Sequence, residues 1–106
     1  MKAEGPEGII FECDVAAAEV KTAFDALMKA AEQSDVEVKY TGGSGSPYIS
    51  GIDGIMEKSD GALSGWIYKV NGEQAGVGCG KYDVAAGDRV SFFFTRDLGK
   101  DCADKE

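Results

Sequence analysis

Apolar and polar positions alternate most clearly over residues 65–70, where Trp66, Tyr68 and Val70 share one face of a strand and Ile67 and Lys69 the other. Asn71-Gly72 follows directly, the pair that best suits a two-residue turn needing positive φ at both positions, and a return strand is expected over residues 73–77. A second tight turn at Ala86-Gly87-Asp88 leads into residues 90–95, with Val90, Phe92 and Phe94 on one face. Residues 8–13, rich in β-branched and aromatic side chains, read as a first strand. The period changes after Thr22. Ala23, Phe24, Leu27, Met28 and Ala31 recur at helical spacing, and Thr22 with Asp25 forms a capping box at the start. The helix is expected to end near Gln33 or Ser34; alanine propensity at Ala16 to Ala18 leaves an earlier start open. Val36, Val38 and Tyr40 alternate with Glu37 and Lys39 as a half-buried strand, residues 42–47 form a glycine-rich loop, and residues 48–52 a short strand followed by a turn-rich stretch.

One helix on a sheet of five or six short, mostly antiparallel strands is an α+β arrangement, and the order strand, helix, strands points to a β-grasp-like fold. With 106 residues there is room for a single domain, residues 1–106, with a core over about 8–97 and a charged tail at 98–106.

Charge and composition narrow the function classes. The net charge of −8 repels phosphate backbones and anionic membrane surfaces, so nucleic acid is excluded as a natural partner. No apolar run approaches the roughly 20 residues of a membrane helix, so no membrane insertion is expected. The first residues lead into no apolar leader segment, which fits either a cytoplasmic chain or a mature one. The chain has no histidine, which removes Ser-His-Asp and Cys-His nucleophilic chemistry and every imidazole metal site. Cys13, Cys79 and Cys102 are far apart in sequence and make no CxxC pair; one disulfide with a free thiol and three free thiols both remain open. Gly76-Val77-Gly78-Cys79-Gly80 lacks the following helix and the Lys-Ser/Thr step of a phosphate loop, and reads instead as a bulge or a close backbone approach.

Two kinds of candidate site remain. Tyr48, Trp66, Tyr68 and Tyr82 offer an aromatic patch, explained by core and hairpin packing or by stacking on a ligand. Cys79 with Asp60 or Asp83 offers a thiolate and carboxylate set for a metal. The abundant carboxylates show no EF-hand order and no aligned pair for acid–base work.

The second half resembles the transcobalamin-like C-terminal domain family (DUF4430). The carrying residues are YISGIDGI at 48–55, LSGWIYKVNG at 63–72, VGCGKYDVAAGDRV at 77–90 and FTRDLGKD at 94–101, with TAFDALMKAAE at 22–32 matching the family's single helix. The resemblance implies a β-grasp-like fold and an exported or cell-surface location. It also implies a ligand strip over residues 66–70 and 78–82, analogous to the surface that closes over cobalamin in vitamin B12 carriers. The combined expectation is a non-catalytic ligand-binding or adhesion module with no cofactor. Its ligand, a small molecule or a protein, contacts Trp66, Tyr68, Gly78, Cys79 and Tyr82. The alternative is a small metal-binding protein. Oligomeric state is left open.

Overall fold

The computed structural model describes residues 1–15, 20–42, 47–59, 61–74 and 77–96. The readings placed on Ala16 to Ala18, the glycine loop at 43–46, Asp60, Gly76, Cys102 and the charged tail lie outside them.

Strands β1 (Lys2–Gly5), β2 (Gly8–Glu12), β6 (Gly65–Val70), β7 (Glu73–Gln74) and β8 (Val90–Thr95) form one sheet in the order β2-β1-β8-β6-β7. Only the β1–β8 pair is parallel. Strands β3 (Val38–Thr41), β4 (Tyr48–Ile52) and β5 (Ile55–Met56) form a second, antiparallel sheet. The α+β class holds, with one helix among the described residues, α1 (Ala23–Gln33). A five-stranded, mostly antiparallel sheet is present, but the strands are not gathered into one sheet: β4 hydrogen-bonds to β3 and β5 rather than to the β6–β8 layer.

Strand β8 is central and buried along its whole length, which the alternating pattern did not foretell. Ala3, Trp66, Tyr68 and Val70 stand opposite Phe92, Phe94 and Val90 on one face, and this face meets the helix in the core. On the other face Phe93 is fully buried, with the Lys2 and Lys69 ammonium groups 5.2 and 5.8 Å from its ring centre. Two faces covered mean a continuous apolar run rather than alternation. Strand β1 was likewise unforeseen. Its sequence, Lys-Ala-Glu-Gly, is too polar to announce a strand, yet Ala3 is fully buried and the core extends to it, ahead of Gly8.

The helix begins where its chemistry dictates. Thr22 Oγ1 accepts from the Asp25 amide at 3.2 Å, and Asp25 Oδ2 accepts from the Thr22 and Lys21 amides at 3.2 and 3.1 Å. Removing the hydroxyl in Thr22→Ala is expected to cost about 1 kcal/mol, read as a lower midpoint in urea at unchanged slope. At the other end Asp35 takes positive φ (56°), the Val36 amide bonds Ala31 O and the Asp35 amide bonds Glu32 O, a Schellman closure with aspartate where glycine is usual. The buried helix face is Ala23, Ala26, Leu27, Ala30 and Ala31. Phe24 and Met28, expected on it, are half-buried, and Phe24 instead sets its ring edge-on to Tyr40 at 4.9 Å. Alanines let the helix approach the sheet closely, so the larger side chains flank the contact.

Both expected tight turns form. Asn71 and Gly72 have φ of 55° and 85°, and Gly87 has φ of 90°. Within the expected turn-rich stretch, Asp53-Gly54, φ 55° and 78°, makes a third turn that joins β4 to β5.

Candidate functional site

Across the described part of β6's outer edge, β7 pairs only Lys69 and Val70. Beyond that pairing a cleft of about 210 Å³ opens between Tyr48 and Ile49 of β4, Trp66 to Tyr68 of β6, and the Gly78-Cys79 turn. It thus joins the two sheets at the seam where the single expected sheet is interrupted. A second cleft, about 260 Å³, shares Tyr48, Trp66 and Ile67 with it and continues toward Leu63 and Glu57. Tyr48 is the divider between the two. Its ring is 52% exposed, and its hydroxyl donates to Glu57 Oε2 at 2.5 Å. That carboxylate, with partial burial, raises the Tyr48 phenol above its ordinary pKa.

Each wall has a physical cause. Trp66 is the floor rather than a stacking platform: it is only 8% exposed, its indole N–H donates to Ile55 O at 2.9 Å, and it meets Phe94 edge-on at 5.5 Å. Tyr68 stacks on Phe92 at 5.5 Å and donates its hydroxyl to Val77 O, which ties β6 to the segment entering the Cys79 turn. Cys79 begins a single 3-10 turn, Cys79–Lys81, with its sulfur buried and 4.0 Å from Pro47 O. Gly80 makes that approach possible. A Cβ there would lie 2.4 Å from Cδ of the Pro47 ring, which has no rotamer with which to yield. The expected close backbone approach in this glycine-rich segment is therefore found at Gly80.

Among the described residues the lining carries neither carboxylate nor amine, and its titratable groups stay neutral. Burial pushes the Tyr68 phenol up to about 12, with the Cys79 and Tyr82 charges adding to the effect. Burial also raises the Cys79 thiol, against a smaller opposing pull from the Cys79 and Gly80 amides. Because the folded Tyr68 pKa lies above the ordinary value of 10.0, its contribution to stability is complete below about pH 10 and is lost as the pH climbs toward 12. The expected result is a denaturation midpoint that drops between about pH 10 and 12 in the native chain and drops less in Tyr68→Phe, with phenolate absorbance following the ionisation.

Of the sequence-predicted site residues, Trp66, Tyr68, Gly78 and Cys79 line one cleft. Tyr82 stands behind it, its ring edge-on to Tyr68 at 6.4 Å. Among the described residues no metal-ligand group is assembled. Asp83 is exposed and its backbone pairs with Thr22 at the helix start, its flanking residues closing the contact through Ala23 N to Tyr82 O and Val84 N to Lys21 O. Asp60 lies outside the described residues, and among those described no three cysteine or acidic side chains converge. Cys13 and Cys79 are both free thiols, with Cys13 Sγ 3.9 Å from Ser34 Oγ. Ile67, within the strip implied by the resemblance, and Gln74, which was not expected, also line the cleft: strand alternation sends both to the face opposite Trp66, and the open edge brings the two faces together. A larger cleft of about 550 Å³ lies between Met1, Cys13, Asp14 and Arg89, with a more polar lining and none of the predicted site residues.

Residues 21–96 match the family model of a domain of unknown function, DUF4430. The chain belongs to the DUF4430 family. In this DUF4430 chain the matched segment holds α1, the second sheet, the aromatic cleft and β8, while β1 and β2 precede it. Among solved structures, the fold is similar to the crystal structure of a "putative metal binding protein" from Ruminococcus gnavus ATCC 29149. The TM-score is 0.63 at 17% sequence identity, over 90% of this chain and 92% of that one. The chain matches none of the curated proteins.

Proposed function

We propose that this DUF4430 chain is a non-catalytic, exported or cell-surface binding module that takes a neutral, largely apolar ligand in the cleft between Tyr48, Ile67, Tyr68 and Cys79. The carrying observation is the chemistry of the 210 Å³ cleft: apolar and aromatic walls, a few polar groups at the rim, and no charged side chain among the described residues that line it. Small-molecule sites are built this way. Catalysis would need a proton-transferring or nucleophilic group, and the thiol and phenol available here are held in their unreactive neutral forms. Alone, the 210 Å³ cleft is smaller than the about 300–1,000 Å³ typical of ligand sites; joined to its neighbour across Tyr48 it reaches that range, and the neighbour adds Glu57 and Lys58 to the lining as charged groups outside the apolar part. The β-grasp-like and transcobalamin-like reading belongs to this proposal, and by that analogy a corrinoid would rest an edge on the Tyr48 and Tyr68 rims rather than enter.

A library of neutral aromatic fragments and free corrinoids, screened by saturation transfer, tests the reading. Tyr48→Ala is expected to keep the fold, since its ring is half exposed, and to weaken the fragments that bind by roughly tenfold, the loss of a 1–2 kcal/mol stacking contact. Fragment binding that survives Tyr48→Ala unchanged would move the site elsewhere.

Metal binding is the second reading. The Ruminococcus gnavus neighbour is named for it, and at 17% identity that likeness supports a shared fold. Cys79 would be the thiolate ligand here, yet its sulfur faces Pro47 O inside the core. Zinc or cadmium that raises the melting temperature of wild type but not of Cys79→Ser would favour this reading over the first.

A further inference from the structure

The Asn71-Gly72 turn does more than reverse the chain. The Asn71 carboxamide is gripped at both ends: Nδ2 donates to Asp88 Oδ1 at 3.1 Å, and Oδ1 accepts from the Arg89 amide at 2.9 Å. The Asn71 amide in turn bonds Arg89 O at 2.7 Å. Asp88 is itself fixed, because its other carboxylate oxygen accepts from the Ala85 amide at 2.9 Å within the Gly87 turn. Two turns at one end of the β6–β8 ladder are therefore latched through one amide side chain.

Asn-Gly is also the dipeptide most open to intramolecular attack, since glycine places no side chain between its nitrogen and the preceding carboxamide. We infer that Asn71 is a deamidation site held in check by the Asp88 and Arg89 clamp, and that the reaction, once it occurs, springs the latch. In the first step Gly72 N attacks Asn71 Cγ. The N–Cγ bond forms, the Cγ–Nδ2 bond breaks, and ammonia leaves with the proton from the Gly72 amide. Water then opens the resulting succinimide at either carbonyl, giving aspartate or isoaspartate at position 71.

The clamp opposes the first step because the carboxamide must rotate to present Cγ to Gly72 N, which breaks the bonds to Asp88 and Arg89. The product cannot restore them. A carboxylate has no hydrogen to donate to Asp88, so two negative oxygens would face each other at hydrogen-bond distance. The Ala85 N–H, which the reaction leaves in place, is the main cause holding Asp88 below the usual carboxylate range, so Asp88 stays charged and the repulsion persists at neutral pH. Isoaspartate adds a main-chain carbon to a two-residue turn whose φ values of 55° and 85° leave no room for one. Either product loosens the β6–β7 hairpin, three residues from Gln74 on the cleft rim.

The test is peptide mass mapping across Asn71 after incubation in mildly alkaline buffer, comparing the folded chain, the chain in denaturant and folded Asp88→Ala. Deamidation is expected about tenfold slower in the folded wild type than in denaturant, with Asp88→Ala recovering most of that difference. Amide hydrogen exchange on β6 and β8 under the same conditions shows that the variant is folded. Should Asp88→Ala unfold, Asn71→Asp supplies an independent reading: it melts below wild type at neutral pH and regains stability when combined with Asp88→Asn. Equal rates in folded and denatured wild type would overturn the inference, as would a folded Asp88→Ala as protected as wild type, or an Asn71→Asp as stable as its parent.

Discussion

Trp66→Ala is expected to destabilise the domain by about 3–5 kcal/mol, a large share of the roughly 5–15 kcal/mol that holds a domain folded. Two losses combine. The indole fills the space between β6, β8 and the start of β5, being 8% exposed and edge-on to Phe94, and its removal leaves a cavity bounded by strands that cannot all collapse inward. Its N–H also satisfies Ile55 O, the group at the corner where β4 turns into β5, so the second sheet loses its tie to the first. Trp66→Phe is expected to keep most of the packing while losing that tie, and so to fall between the two. Circular dichroism in a urea series measures both. A folded Trp66→Ala that had merely lost ligand binding would make Trp66 a site residue and not the floor of the cleft.

Phe93→Ala is expected to cost a similar amount, about 3–5 kcal/mol, for a different reason. Phe93 lies on the sheet face away from α1 and is fully buried there. Its cover includes the stems of Lys2 and Lys69, which lie over the ring and hold their ammonium groups within cation–π range. Alanine would leave those stems with nothing to pack on and would expose the flank of the central strand. Phe93→Leu, which restores volume without the ring's quadrupole, is expected to recover most of the loss. A urea series on the two variants would separate the packing contribution from the cation–π part, which is worth about 0.5–2 kcal/mol.

How far the sequence reaches is clear from particular residues. The helix start was legible because Thr22 and Asp25 satisfy each other's backbone groups locally, and the β6–β7 turn because Asn71-Gly72 meets a positive-φ requirement within two residues. Local chemistry of that kind survives any tertiary context. Strand β1 was not legible, because what makes Lys2–Gly5 a strand is its place between β2 and β8, and Ala3 gives no hint that it will be buried there. The division into two sheets was equally hidden: it depends on β4 pairing with β3 and β5, and the Asp53-Gly54 turn is its single local signature.

The candidate site was legible in part. Aromatic residues with a glycine-flanked cysteine pointed to one stretch of surface, and four of the five chosen residues line one cleft there. Sequence could not show that Trp66 is its floor, that Tyr48 is its divider, or that Gly80 exists to let the Cys79 turn lie on Pro47. Those follow from the seam between the sheets, and the seam is a property of the whole chain.

The account stands on that seam being where a ligand sits. Amide chemical-shift mapping of the isotopically labelled chain, titrated with the aromatic fragments that bind and separately with zinc chloride, addresses it directly. The account predicts shifts concentrated at Tyr48, Ile67, Tyr68, Gly78 and Cys79 with the fragments, and none there with zinc. Shifts clustered instead around Met1, Asp14 and Arg89, or a zinc response centred on Cys79 with no fragment response, would contradict it.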